Sequence, residues 1–175
     1  SFNDKGGVQV IFDKDYVSSV AQSMMGNVLV TKQTGEIGKT VNRIFIEEGC
    51  DIDREFYLSL LVDRNTSKVM MMISAAGGMD IEEVAITSPE KIINIHFTTY
   101  TDISLDYSLL TKLDITKKQL DELTSIINKL LNAFTSVDAS TIEINPLVLN
   151  KQGSFVILDA KISLDDNALF RHPEL

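Results

Sequence analysis

The most constraining stretch of the chain is Glu143-Ile144-Asn145-Pro146-Leu147-Val148-Leu149, followed by Phe155-Val156-Ile157-Leu158-Asp159-Ala160-Lys161. Apolar residues from Ile142 to Val148 alternate with polar ones, and Lys151-Gln152-Gly153 supplies a turn, so the pattern predicts a β-hairpin. One face of it would carry Glu143 and Asn145 and, from the second strand, Asp159. Side-chain oxygens held on a rigid hairpin suit Mg²⁺, a hard cation that takes one or two protein oxygens and fills its shell with water and nucleotide phosphates. Spacing alone also fits a bulge or turn at Asn145-Pro146, with Asp159 merely ending a strand.

The chain around this hairpin has 175 residues, enough for one domain or two small lobes with a real core. Its 16 basic against 25 acidic residues leave a formal net charge of -9, and no basic cluster interleaved with aromatics stands out. That argues against a nucleic-acid partner. The single cysteine, Cys50, rules out an internal disulfide and a Cys-rich zinc site, and points to a reducing compartment. No apolar run approaches the roughly 20 residues needed to span a bilayer, and no secretory signal is visible, so no membrane association is expected. A start at Ser1 rather than Met is expected of a processed chain.

In chain order, residues 8–12 read as a strand, and Asp13 caps a helix through Tyr16, Val17, Val20 and Met24 that Gly26 stops. Residues 28–30 and 41–46 read as two more strands, completing a small α/β lobe. From Glu55 the runs lengthen: 55–63 and 68–74 form a hairpin across Arg64-Asn65-Thr66-Ser67, ended by Gly77-Gly78. Ser88-Pro89-Glu90 predicts the opening of a short helix, and 93–101 a strand. The clearest helix follows Thr116, whose Gln119 completes a capping-box pattern. Leu120, Leu123, Ile127, Leu130, Leu131 and Phe134 then recur at helical spacing as an apolar stripe for the core. The best boundary between lobes lies at residues 51–54.

Several ordered blocks carry a family resemblance. Glu143 to Leu147, Asp159-Ala160-Lys161 and Asn167-Ala168-Leu169-Phe170-Arg171-His172-Pro173-Glu174-Leu175 resemble the end of the ATP-grasp domain of succinyl-CoA synthetase (succinate–CoA ligase) beta subunits. Upstream, Ile46-Glu47-Glu48-Gly49-Cys50-Asp51-Ile52, Glu55-Phe56-Tyr57-Leu58, Val62-Asp63-Arg64 and Gly77-Gly78-Met79-Asp80-Ile81-Glu82-Glu83-Val84-Ala85 follow in that family's order. The resemblance implies an α+β, two-lobed (α/β) ATP-grasp fold, incomplete at its N-terminus. Residues 1–50 would be a partial first lobe ending in the nucleotide hinge, and 51–175 a second lobe carrying the Mg-binding hairpin.

The same resemblance assigns roles. Glu47 and Cys50 match nucleotide contacts at the hinge, Cys50 through backbone or side chain, and Glu55 matches a ribose contact. Read from charge alone, the run Glu47, Glu48, Asp51, Asp53, Glu55 is an ordinary solvated loop. Asn145 and Asp159 match Mg²⁺ ligands, and Glu143 matches the glutamate that supports a phosphohistidine of the alpha subunit. Lys161 could face phosphate. His96 and His172 lack ligand spacing, His172 reads as a surface residue, and neither is expected to be the nucleophile. Implied are ATP or GTP as substrate, an alpha-subunit partner, a citric-acid-cycle ligase activity, and a bacterial cytoplasmic or mitochondrial matrix location.

Two departures qualify the match. The family's first helix, its early phosphate-binding lysine and most of its Gly-rich loop have no counterpart, Lys5-Gly6-Gly7-Val8 resembling only that loop's tail, so weak nucleotide binding and no turnover are expected of this chain alone. Ser74-Ala75-Ala76-Gly77-Gly78 stands where the family shows Ser-Thr-Glu before the paired glycines, leaving that loop's role open. The competing readings are another ATP-grasp acyl-CoA ligase, such as a malate–CoA ligase, and a non-catalytic acidic module that binds a protein through the helix after Thr116.

Overall fold

The computed structural model describes residues 7–31, 34–97 and 107–175. The chain divides into two compact units, Ser1–Cys50 and Asp51–Leu175.

In the first unit the Asp13 carboxylate accepts the backbone N–H of Asp15 and starts a 3₁₀ turn, Lys14–Tyr16, that runs into helix α1 (Val17–Met24). Gly26 follows with φ +77°, a conformation glycine adopts without strain. Strands β1 (Val28–Leu29) and β2 (Lys39–Thr40) pair antiparallel. Two expected strands do not form. Residues 8–12 make no ladder, and Phe12 is 98% exposed. Residues 41–46 are also irregular, because pairing uses Lys39–Thr40 and closes where Val41 N–H donates to the Asn27 carbonyl. A β-prone run becomes a strand only when a partner satisfies its backbone.

The second unit is built on a six-stranded sheet. Its strands are β3 (Ile52–Asp63), β4 (Lys68–Ser74), β5 (Ile92–Phe97), β6 (Ala139–Asn150), β7 (Phe155–Ile157) and β8 (Ala160–Leu164). The order is β5-β4-β3-β6-β7, with β8 also on β6, and every pairing is antiparallel. The hairpin of β3 and β4 forms as expected, with Leu60 opposite Met71. The hairpin partner of β6 is broken: β7 and β8 are separate strands with Leu158 and Asp159 between them. The expected strand at 93–101 begins at Ile92 and runs to Phe97, while residues 98–101 lie outside the described residues.

Three helices join the sheet: α2 (Ile81–Thr87), α3 (Tyr107–Leu110) and α4 (Lys117–Ser136). Asp80 caps α2 by accepting Glu82 N–H, whereas Ser88-Pro89 opens only a 3₁₀ turn, Pro89–Lys91, without a side-chain cap. The side-chain cap of this region therefore lies at Asp80, nine residues upstream of Pro89. Thr116 and Gln119 close the capping box of α4 in both directions. Leu123, Ile127, Leu131 and Phe134 of α4 are buried on the sheet face formed by Phe56, Leu58, Leu60, Met71, Ile73, Ile142 and Ile144. Complete burial of each such side chain contributes about 1.5–3 kcal/mol. Arg54 donates to the carbonyls of Leu113 and Asp114, at 2.7 Å each, and tethers the turn before α4.

After β8, Asp165 caps a 3₁₀ segment, Asp166–Arg171, that Asp138 clamps. Its two carboxylate oxygens receive Arg171 Nε and Nη2, both at 2.6 Å, and Oδ2 also lies 2.6 Å from His172 Nε2. His172 is therefore not the free surface residue its position suggested; its side chain is only 12% exposed.

Candidate functional site

The ladder between β3 and β6 slips twice, between Ile52 and Arg54 and again between Phe56 and Leu58, and the second slip is the one at the candidate site. Phe56 opposes Leu147 and Leu58 opposes Ile144, so Asn145 and Pro146 together oppose the single residue Tyr57. This is a β-bulge, a device that re-aims side chains next to functional sites. The bulge expected from the sequence exists, and it is the place where the candidate ligand Asn145 stands. Opposite it, in the gap between β7 and β8, the Asp159 carbonyl accepts Asn145 N–H at 3.2 Å and the Asp159 side chain points into the exposed margin.

A loop holds Asn145 from the other side. Its Oδ1 accepts Gly78 N–H at 2.9 Å and its Nδ2 donates to the Met79 carbonyl at 3.3 Å. The loop in turn rests on β3: Gly77 N–H donates to the Glu55 carbonyl, and a Cβ on Gly77 would stand 2.3 Å from Phe56 N. Gly78 has φ +68°, and a Cβ there would meet Glu55 Oε2 at 2.9 Å. Only a bare backbone can lie this close to the strand. The loop thus acts through its backbone, so a carboxylate at position 76 is not what fixes Asn145 and Glu55.

Glu143 precedes the bulge. It stands directly opposite Ser59 on β3 and Lys161 on β8, so Ser59, Glu143 and Lys161 form one row across three strands, on the face away from α4. Directly paired residues share a face and lie within side-chain reach. Tyr57 lies two residues from Ser59 on that same face. Burial pushes the Tyr57 phenol above its ordinary value of 10.0, the adjacent Ser59 hydroxyl pulls against this, and the Glu143 charge adds to the rise.

The structure brings Glu55, Glu143, Asn145 and Lys161 to neighbouring strands of one sheet, with Asp159 in the gap between β7 and β8. Glu47 is exposed and Cys50 half-buried at the end of the first unit. His96 pairs with Asp63 at 3.1 Å at the far end of β5, with no tie to the candidate site. Among the described residues no three His, Cys, Asp or Glu side chains gather around a metal position. The donor set of Asn145 and Asp159 nonetheless fits Mg²⁺. Both are hard oxygen donors, and Asn145 Oδ1 has spent one of its two lone pairs on Gly78, leaving the other. The sequence reading did not single out Tyr57, Ser59 or the grip of Gly78 on Asn145. The paired glycines were its one available signal.

Among the described residues no helix is long and apolar enough to cross a membrane. The chain is 46% identical, across 177 residues and its whole length, to the ADP-forming succinate–CoA ligase subunit beta of Afipia carboxidovorans. It is 49% identical to the subunits of the same name from Bradyrhizobium diazoefficiens and Rhodospirillum rubrum, again over all of this chain. It spans 44% of the length of each of these relatives. Among solved structures, ATP citrate lyase from Methanothrix soehngenii, in complex with citrate and coenzyme A, aligns with a TM-score of 0.64 at 19% identity. That alignment covers 95% of this chain and 38% of the other, and it is a likeness of fold. Residues 4–149 match the family described as ATP-grasp domain, and with its mixed helices and antiparallel sheet this chain belongs to that family.

Proposed function

We propose that this chain is the nucleotide-grasping part of a succinate–CoA ligase beta subunit. With an alpha subunit, the whole enzyme would convert succinate, CoA and ATP or GTP to succinyl-CoA, nucleoside diphosphate and phosphate through a phosphohistidine on alpha. The observation that carries this is identity of 46% and 49% across the whole chain to proteins named as that subunit. Their names specify the ADP-forming reaction, which favours ATP.

Within the reading, Glu55, whose carboxylate lies beside Gly78, accepts hydrogen bonds from hydroxyls of the ribose. Glu47 and Cys50 contact the nucleotide by the family resemblance. Asn145 and Asp159 hold Mg²⁺, which when bound neutralises phosphate charge during phosphoryl transfer. Glu143 accepts the N–H of the incoming imidazole and so fixes its tautomer. Lys161, exposed beside Glu143, is available to a phosphate oxygen. The bacterial source of the relatives supports the bacterial cytoplasm as the compartment.

The test is Mg²⁺-dependent phosphorylation of the alpha subunit by ATP, in the intact enzyme, with Asp159→Ala. Phosphorylation should disappear while the melting temperature stays unchanged. If Asp159→Ala phosphorylates normally, the metal assignment is wrong; if wild-type enzyme fails to phosphorylate alpha, so is the function.

A further inference from the structure

Ser59 is 4% exposed, and its buried hydroxyl makes no well-formed hydrogen bond, although it lies near enough to Tyr57 to pull against the rise in the phenol's pKa. Such atoms are rare in folded proteins, because an unmade hydrogen bond costs the full desolvation of the group. The Ser59 backbone is fixed in the centre of β3, between Met72 on β4 and Glu143 on β6. Tyr57, two residues along, is 5% exposed, and its ring shares the face. The Ser59 hydroxyl is shut off from water, and Tyr57 and the half-buried Glu143 are polar side chains placed beside it on this face. A serine so placed beside a phenol and a carboxylate belongs to a polar cluster that a better-aligned arrangement of the same groups would complete.

We propose that Tyr57 and Ser59 are positioning residues for Glu143: when Glu143 receives the imidazole N–H, the Tyr57 hydroxyl donates to its other oxygen and Ser59 donates to the Tyr57 oxygen. The inference rests on the role given to Glu143 above. The chain Ser59 to Tyr57 to Glu143 moves no proton and forms no bond beyond hydrogen bonds. Its effect is orientation: a carboxylate held at one oxygen presents the other at a fixed angle, and aligned geometry is what an in-line transfer to a histidine requires. Lys161, on the opposite flank of Glu143, is exposed and can swing; the buried pair on β3 cannot. The rigid side of the carboxylate is therefore the Tyr57 side.

The experiment uses the intact enzyme and follows phosphorylation of alpha by ATP in Tyr57→Phe, Ser59→Ala, Glu143→Gln and the double variant Tyr57→Phe with Glu143→Gln. Tyr57→Phe keeps the ring and should lower kcat about tenfold, the worth of one hydrogen bond to a charged group, with KM for ATP unchanged. Ser59→Ala should lower kcat about threefold without lowering the melting temperature, since it removes a hydroxyl that makes no well-formed hydrogen bond. In the double variant the Tyr57 change should add nothing to Glu143→Gln, the sign that one acts through the other. Full activity in both Tyr57→Phe and Ser59→Ala, with Glu143→Gln slow, overturns the positioning role alone. So does an additive double variant. A full-rate Glu143→Gln overturns the role of Glu143 and the inference with it.

Discussion

Asn145 and Gly78 are joined by a 2.9 Å hydrogen bond from the glycine N–H to the asparagine side-chain oxygen, across 67 residues of sequence. The bulge of β6 and the loop after β4 are therefore one unit, and the donation from Asn145 Nδ2 to the Met79 carbonyl closes it. Asn145→Ala should lower stability by about 1–2 kcal/mol and speed amide exchange at Gly78. Asn145→Asp keeps an oxygen towards Gly78 but sets a second oxygen against the Met79 carbonyl, so its cost in stability should be at least as large. Calorimetry on the intact protein should show Mg-dependent nucleotide affinity falling at least about tenfold in the alanine variant and surviving in the aspartate variant. Equal affinity in wild type and alanine variant would remove Asn145 from the metal site.

Gly77 has no room to change. A methyl group there would press on Phe56 N and the Glu55 carbonyl carbon, which belong to the central strand and cannot yield. Gly77→Ala should cost about 3 kcal/mol or more by chemical denaturation and lower the melting temperature accordingly. A variant as stable as wild type would mean that the loop does not lie on β3.

The capping box should matter more than a surface threonine would suggest, because α4 packs its buried stripe against one face of the sheet. Thr116→Ala is expected to cost about 1 kcal/mol, and Thr116→Ser much less. Urea denaturation of the two variants side by side separates the hydroxyl from the methyl.

Acid should undo the clamp behind β8. Hydrogen bonds from Arg171 and then His172 hold the Asp138 carboxyl at about 2, below its ordinary 3.8. A carboxyl depressed by folding contributes stability above its unfolded value and loses it as the pH falls through the folded one. Wild type should therefore exceed Asp138→Asn in melting temperature at about pH 6, with the gap closing between pH 3.8 and about 2. A gap constant over that window would show that the contact is packing and not charge.

Legibility in the sequence followed the range of the interactions. Helix α4 was readable because its cap, its stripe and its length are all local signals, and β3 and β4 because alternation and a turn lie within one short stretch. The break between β7 and β8 was not, since it answers a bulge on another strand. Residues 8–12 and 41–46 have strand-like composition without a partner to pair with, which composition does not encode. At the site, the motif blocks named Glu55, Glu143, Asn145 and Asp159, and the structure sets the first three on adjoining strands with Asp159 in the gap between β7 and β8. What they could not name were the groups that hold them. Gly78, Tyr57 and Ser59 act through tertiary neighbours, and Ser59 is notable only because no well-formed hydrogen bond satisfies it.

The bulge also sets the phase of β6. Before it, even-numbered residues such as Ile142 and Ile144 face α4; after it, odd-numbered residues such as Leu147 and Leu149 do. Deleting one residue at Asn145 or Pro146 would restore plain alternation, with Ile142, Ile144, Leu147 and Leu149 still facing α4 and Glu143 still on the other face. The single residue of extra length therefore leaves the interior as it is and acts only where it sits, bending β6 so that the Asn145 side chain meets Gly78 and Met79. Its loss should spare the core face and cost the grip on the glycine loop.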